Sequence, residues 1–129
     1  MAGGLVIRDA HYPGRAPIDA YGRGGFRFAD MSHVGSILCV PSGIYGWDPQ
    51  TLEDIDGPSL GRVVEERDLI DVLLLGVGPE PRPAPADAER ALREAGVRFD
   101  TMTTGAAVRT FNVMVSEERR VAAGLLAVG

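Results

Sequence analysis

The sequence predicts an α/β layered fold with a largely parallel central sheet, and three features carry that prediction. Two short runs, 37–40 within "GSILCVPSG" and 71–75 within "IDVLLLG", are apolar almost throughout and close on Pro or Gly. Uninterrupted apolar runs of that length, bounded by breakers, suit strands buried on both faces. The segment "ADAERALREAG" follows the second run with clear helical periodicity, and "VRFDTMT" then "TGAAVRTFNVMV" repeat the strand-then-helix order. Strands alternating with helices imply parallel pairing beneath a helical layer.

Taken in order, "GLVIRDAHY" has β-branched and aromatic character and is placed as a first strand. In "IDAYGRGGFRFAD" a Gly-Gly turn precedes an alternating "FRF", the pattern of a half-exposed strand. These first two strands are placed as an antiparallel addition to the sheet. "PSGIYGWDP" reads as a loop after the 37–40 strand. Leu60, Val63 and Val64 then share one helical face, with Arg62, Glu65 and Glu66 outward.

The loop 76–85 holds four prolines. In the following helix Ala88, Ala91, Leu92 and Ala95 share a face, Asp87 and Glu89 sit in the first turn, and Gly96 stops it. The second helix carries Ala107, Val108, Phe111, Met114 and Val115 on its apolar face, with Thr103 or Thr104 as cap. "RRVAAGLLAV" fits either a continuation of that helix or a last strand.

The 129 residues suit a single domain, 1–129, and at 45% hydrophobic residues they can form a core without disulfide or metal. The net charge is −5 and every basic residue other than histidine is Arg. An acidic pI near 4.9 argues against nucleic-acid binding and against anionic membrane surfaces, which both need a basic face. Cys39 is the lone cysteine, so no internal disulfide forms, and its place in "SILCV" marks it as core. No leader pattern and no run near the roughly 20 apolar residues of a membrane span is present, so the expected location is cytoplasmic.

"LLLGVGPEPRP" raises the question of a nucleotide loop. The dinucleotide fingerprint needs a third glycine and an immediate helix start, so that the helix N-terminus meets the pyrophosphate. Here Gly76 and Gly78 match, Pro81 stands at the third glycine, and the helix begins only near Ala86. A Walker loop needs Lys, which the chain lacks. Gly76 and Gly78 are left lining a crevice at the carboxyl end of the sheet, where α/β folds place ligands.

His11 and His33 lack partners at metal spacing, so no metal and no cofactor is expected, and no G-x-S-x-G elbow or other catalytic set is present. Tyr45 and Trp47 serve equally as partner anchors or as a cover for one end of the core. Thr104 and Gly105 open a helix whose N–H groups suit an anion, and Arg109 and Asn112 lie on its polar face. A capped helix with a solvated face explains the same residues. Asp48, Glu53, Asp54 and Asp56 read as a solvated loop.

Taken together, "PSGIYGW", "VLLLGVG" and "DTMTTGAAVRTFNVMVSEERRVAAGL" resemble the MTH 938-like family, domain of unknown function 498, over residues 4–128. That family includes the mitochondrial assembly factor 3 of respiratory complex I. The resemblance implies a three-layer α/β fold with a mixed central sheet and a β extension, and a final strand at 119–127. Val77, Val108 and 116–118 depart from the family pattern, and Val108 removes any thiol chemistry from its helix. The resemblance brings no catalytic residue with it. Together with the absent catalytic set it implies a non-enzymatic binding or assembly protein with a protein partner, and the residue patterns above place its surface at Tyr45, Trp47, Gly76, Gly78, Thr104, Gly105, Arg109 and Asn112. The alternative is a binder of an anionic small molecule, or an enzyme, using the crevice. Self-association through the apolar C-terminal segment is a third possibility.

Overall fold

The computed structural model describes residues 11–129. Among the described residues nine strands and three α-helices run in the order β1 (Tyr12–Pro13), β2 (Ile18–Gly22), β3 (Gly25–Phe28), β4 (Met31–Val34), β5 (Ser36–Val40), β6 (Gly43–Trp47), α1 (Gly61–Glu65), β7 (Val72–Gly76), α2 (Ala86–Glu94), β8 (Phe99–Met102), α3 (Thr104–Ser116) and β9 (Val121–Leu125). Most of the expected first strand lies outside the described residues; Tyr12 and Pro13 form β1.

Six strands make a mixed central sheet in the order β1-β6-β5-β9-β7-β8. β7 runs parallel to both β8 and β9, while β5 pairs antiparallel with β9 and β6. β2, β3 and β4 form a separate antiparallel sheet, the expected β extension. Its hairpins close through Arg23–Gly24 and Ala29–Asp30, all four at positive φ. That backbone matches the right-handed twist of the flanking strands.

Two apolar clusters lie on opposite faces of the central sheet. On one face Leu38, Leu73, Leu75 and Ala122 meet Leu52, Ile55, Leu60 and Val63 of the β6–β7 connection and Ala88 and Leu92 of α2. On the other, Ile37, Cys39, Leu74 and Ala123 meet Ala107, Val108 and Phe111 of α3 and Ile18, Phe26 and Phe28 of the small sheet. Successive strand residues point to opposite faces, so runs such as "VLLLG" and "VAAGL" must be apolar at every position.

The first strand does not join the antiparallel addition, because Tyr12–Pro13 pairs with β6 in the central sheet, and β2 and β4 add two strands that the sequence reading did not mark. Gly43–Trp47 is strand β6 and not a loop, because a tight turn at 41–42 folds it back along β5. The segment after α3 is the final strand that the family resemblance implied: Glu118 takes a left-handed φ of 59°, reversing the chain so that Val121–Leu125 enters the sheet centre.

Cys39 is fully buried on β5, and desolvation pushes its thiol pKa far up. We expect no reaction with an aromatic disulfide reagent in native protein and one thiol titrated after unfolding. Native-state labelling at the rate of a free thiol would contradict the buried placement.

Candidate functional site

The eight residues expected to bind are distributed over both faces of the central sheet. Tyr45 and Trp47, two apart on β6, point to the face covered by the β6–β7 connection and α2. Gly76, Thr104, Gly105, Arg109 and Asn112 lie on the α3 side, and Gly78 lies beyond the carboxyl end of β7. No single surface gathers all eight.

Trp47 is 8% exposed. Its indole N–H donates to the Ser59 carbonyl at 2.8 Å, and its ring lies flush over Gly124 of β9. Tyr45 is half-buried, with the Arg62 guanidinium 3.8 Å from its ring centroid and its hydroxyl 2.7 Å from Ser42 Oγ. Ser42 Oγ in turn donates to Glu66 at 2.6 Å.

The glycine loop ends in a tight junction with α3. A Cβ on Gly76 would stand 2.9 Å from the Thr104 Cα and 3.1 Å from the Ala107 Cβ, so only glycine lets the helix approach this closely. Thr104 is fully buried; its hydroxyl donates to the Leu126 carbonyl at 2.8 Å and accepts from the Gly78 N–H at 3.1 Å. The Thr104 N–H donates to the Gly78 carbonyl at 2.9 Å. Thr103 is the cap, accepting from the Ala106 N–H at 3.2 Å. These donors therefore serve the junction between α3, β7 and β9.

Just outside it a crevice of about 330 Å³ opens at the carboxyl ends of β7 and β9, bordered by Thr51, Glu53, Val77, Gly78, Arg82 and Leu126. Arg82 and Glu53 pair across it at 3.4 Å. Asp54 beside it accepts from the Gln50 and Thr51 N–H groups, each at 3.1 Å, which lowers its pKa.

Asn112 is a clamp. Its Oδ1 accepts from the Ile18 N–H at 2.8 Å and its Nδ2 donates to the Ile18 carbonyl at 2.9 Å. It thereby fixes the start of β2, and with it the small sheet, to α3. Arg109 on the same helix is exposed and makes no ion pair or hydrogen bond with another described residue. Beside Gly105, Arg109 Nη1 approaches the spot where the Tyr21 hydroxyl of β2 packs. Tyr21 carried no motif, and the sequence reading passed over it.

The two histidines come together. His11 and His33 rings lie 5.0 Å apart in a groove shared with Gly46, Trp47 and Asp48. His33 Nε2–H donates to the Ser36 carbonyl at 3.1 Å. Burial, and then the neighbouring His11, lower the His33 pKa below 6.5, against the opposite pull of the Ser36 contact. A depressed folded-state pKa means that the folded chain binds fewer protons than the unfolded chain. The associated stability is present above about pH 6.5 and is lost as pH falls through the folded value. We expect the melting temperature to drop between about pH 7 and 5, and to drop less in His33→Gln. Equal slopes in the two proteins would remove His33 as the cause.

The molecule is thus a three-layer α/β domain with a mixed sheet, a three-stranded extension and a small crevice at the strand ends. The chain belongs to the family described as "Protein of unknown function (DUF498/DUF598)", which it matches over residues 18–126. It is 33% identical to an uncharacterized protein of Rhodobacter capsulatus, over 95% of this chain and 93% of that one. It is 29% identical to NADH dehydrogenase [ubiquinone] 1 alpha subcomplex assembly factor 3 of Xenopus tropicalis, over 84% of this chain and 60% of that one. Among solved structures, one described as an outer membrane protein from Bartonella henselae superposes with a TM-score of 0.84 at 57% identity, covering 92% of this chain and all of that one. A Mth938-like domain from Bordetella pertussis matches with a TM-score of 0.74 at 25% identity, covering 87% of this chain and 85% of that one. Among the described residues no helix is long and apolar enough to cross a membrane.

Proposed function

We propose that this protein is a non-enzymatic binding module that acts, in the cytoplasm, in the assembly of a multisubunit respiratory complex. The observation that carries this reading is the kinship with complex I assembly factor 3, which extends over 84% of the chain. Fold does not fix function, so the role needs support from the surface. Arg109 supplies it, as an exposed guanidinium on α3 beside Tyr21, with Val113 of the same helix 56% exposed. Arginine and tyrosine are the residues most often found to anchor protein partners. Of the eight residues expected to bind, Arg109 makes this contact directly, and Gly105 and Asn112 position its surroundings.

The test is affinity purification of the tagged chain from gentle extracts of its own host, soluble and membrane fractions apart, with Arg109→Ala as control. Respiratory-complex subunits enriched by the wild type and reduced by the variant are the expected result. A partner-free preparation from both fractions would sink the reading. Sedimentation at several concentrations separates a heterologous partner from self-association.

The crevice of about 330 Å³ beside Gly78 and Leu126 favours a second reading, capture of a small anionic molecule at the strand ends. A ligand at about 100 times its dissociation constant adds roughly 2.7 kcal/mol of stability. A panel of nucleotides, flavins, coenzyme A and sugar phosphates that leaves the melting temperature unmoved would remove this reading for those ligands.

A further inference from the structure

We propose that the outer hollow of the small sheet is a docking surface for an acidic, partly apolar segment of a partner protein. The proposal rests on the binding-module reading and adds the chemistry of what is bound. The hollow, about 330 Å³, is bordered by Tyr21, Arg23, Phe26, Arg27, Ser32 and Val34 among others, and no carboxylate lines it. Among the described residues four large apolar side chains are exposed, and one of them, Val34 at 89%, stands on this face; Tyr21, paired with Phe26, turns its ring to the opposite face, toward Gly105 of α3. Arg23 and Arg27 make no ion pair or hydrogen bond with another described residue. An arginine-rich, acid-free concavity is thus built on a chain of net charge −5. Its complement is negative charge interleaved with apolar side chains.

The position of Arg23 adds to this. It occupies a two-residue hairpin turn at φ 54°. Asn, Asp or Gly suits that conformation better than Arg, so local backbone preference does not account for the residue.

A second copy of this chain is a poor occupant. Its acidic loop at 48–56 turns two of its carboxylates onto its own backbone, Asp54 toward Gln50 and Thr51 and Asp56 toward Ser59. A hollow-to-loop contact would also be head-to-tail, which propagates into chains unless the rotation closes. A lipid surface meets the two arginines in the field of an overall acidic protein and matches the concave shape poorly.

The test uses a short labelled peptide in which Glu alternates with Leu and Phe, its Lys-for-Glu counterpart, and vesicles containing phosphatidylserine. Binding is read by anisotropy and by amide shifts in the full chain. The expected result is saturable binding of the acidic peptide, with shifts confined to residues 20–34. It should weaken severalfold from about 0.01 M to 0.15 M salt, as the screening length shortens from about 30 Å to 8 Å.

Arg23→Asn is the informative variant, because it removes the charge while suiting the turn. It should melt no lower than the wild type yet bind the peptide at least severalfold more weakly, more so when combined with Arg27→Gln. Equal binding of the Lys peptide, wild-type affinity in Arg23→Asn/Arg27→Gln, or shifts centred on the 50–53 crevice would each overturn the proposal. Vesicle binding that exceeds peptide binding would transfer the surface to a membrane and overturn it as well. If host subunits co-purify unchanged with the double variant, the assembly reading stands and the hollow is excluded. If the peptide binds and no host subunit is captured, the reverse holds.

Discussion

Trp47→Ala is expected to destabilise the fold by about 3–5 kcal/mol, the usual cost of truncating a buried large aromatic residue. The indole spans two elements: its N–H bonds the Ser59 carbonyl in the β6–β7 connection, and its ring covers Gly124 at the centre of the sheet. Losing it leaves a cavity above β9 and frees one end of the layer that closes that face. Total stabilities of domains run at about 5–15 kcal/mol, so the variant sits near the edge of folding. Thermal or urea unfolding measures it, and a cost below about 1 kcal/mol would show that the ring is not the cover described here. The reciprocal change tests the same contact. A Cβ on Gly124 would stand 2.7 Å from the Trp47 ring, so Gly124→Ala is overpacked and should cost about 1–3 kcal/mol. The double variant Trp47→Ala/Gly124→Ala should be more stable than the sum of the two losses, because the methyl then fills part of the cavity.

Thr104→Val should cost about 2–4 kcal/mol, although it preserves shape. The hydroxyl is buried and satisfies two groups at once, the Gly78 N–H and the Leu126 carbonyl. Valine leaves both without a partner, and an unmet buried polar group costs about 1–3 kcal/mol. Thr104→Ser retains the hydroxyl and should recover most of the loss. Because Gly78 and Leu126 follow the carboxyl ends of β7 and β9, hydrogen exchange should quicken there first. A serine variant as unstable as the valine one would assign the effect to the lost methyl instead.

Much of the fold was legible because burial on both faces leaves a compositional mark. "SILCV" and "DVLLL" had to be apolar throughout, and α2 carried its stripe and its terminal glycine openly. β6 was misread because Gly43, Gly46 and nearby prolines look like a loop until β5 is there to pair with. β9 was ambiguous because Ala122, Ala123 and Gly124 favour no one structure; the neighbours β5 and β7 make them a strand. The candidate site was less legible. Polar residues such as Thr104 and Asn112 look alike whether they meet a ligand or another part of the chain, and the difference lies in partners 22 and 94 positions away.

What the sequence by itself determined is therefore the layered α/β class, the buried strands, the two longer helices and membership of the family, all of which are written in local periodicity and in motif strings. The tertiary structure alone decided that Trp47, Thr104 and Asn112 are spent on holding the layers together, and that Arg23, Arg27 and Val34 are left facing outward around one hollow. Hydrogen bonds and close packing across distant segments settle which polar and aromatic groups are already satisfied, and a one-dimensional pattern carries no record of those distances.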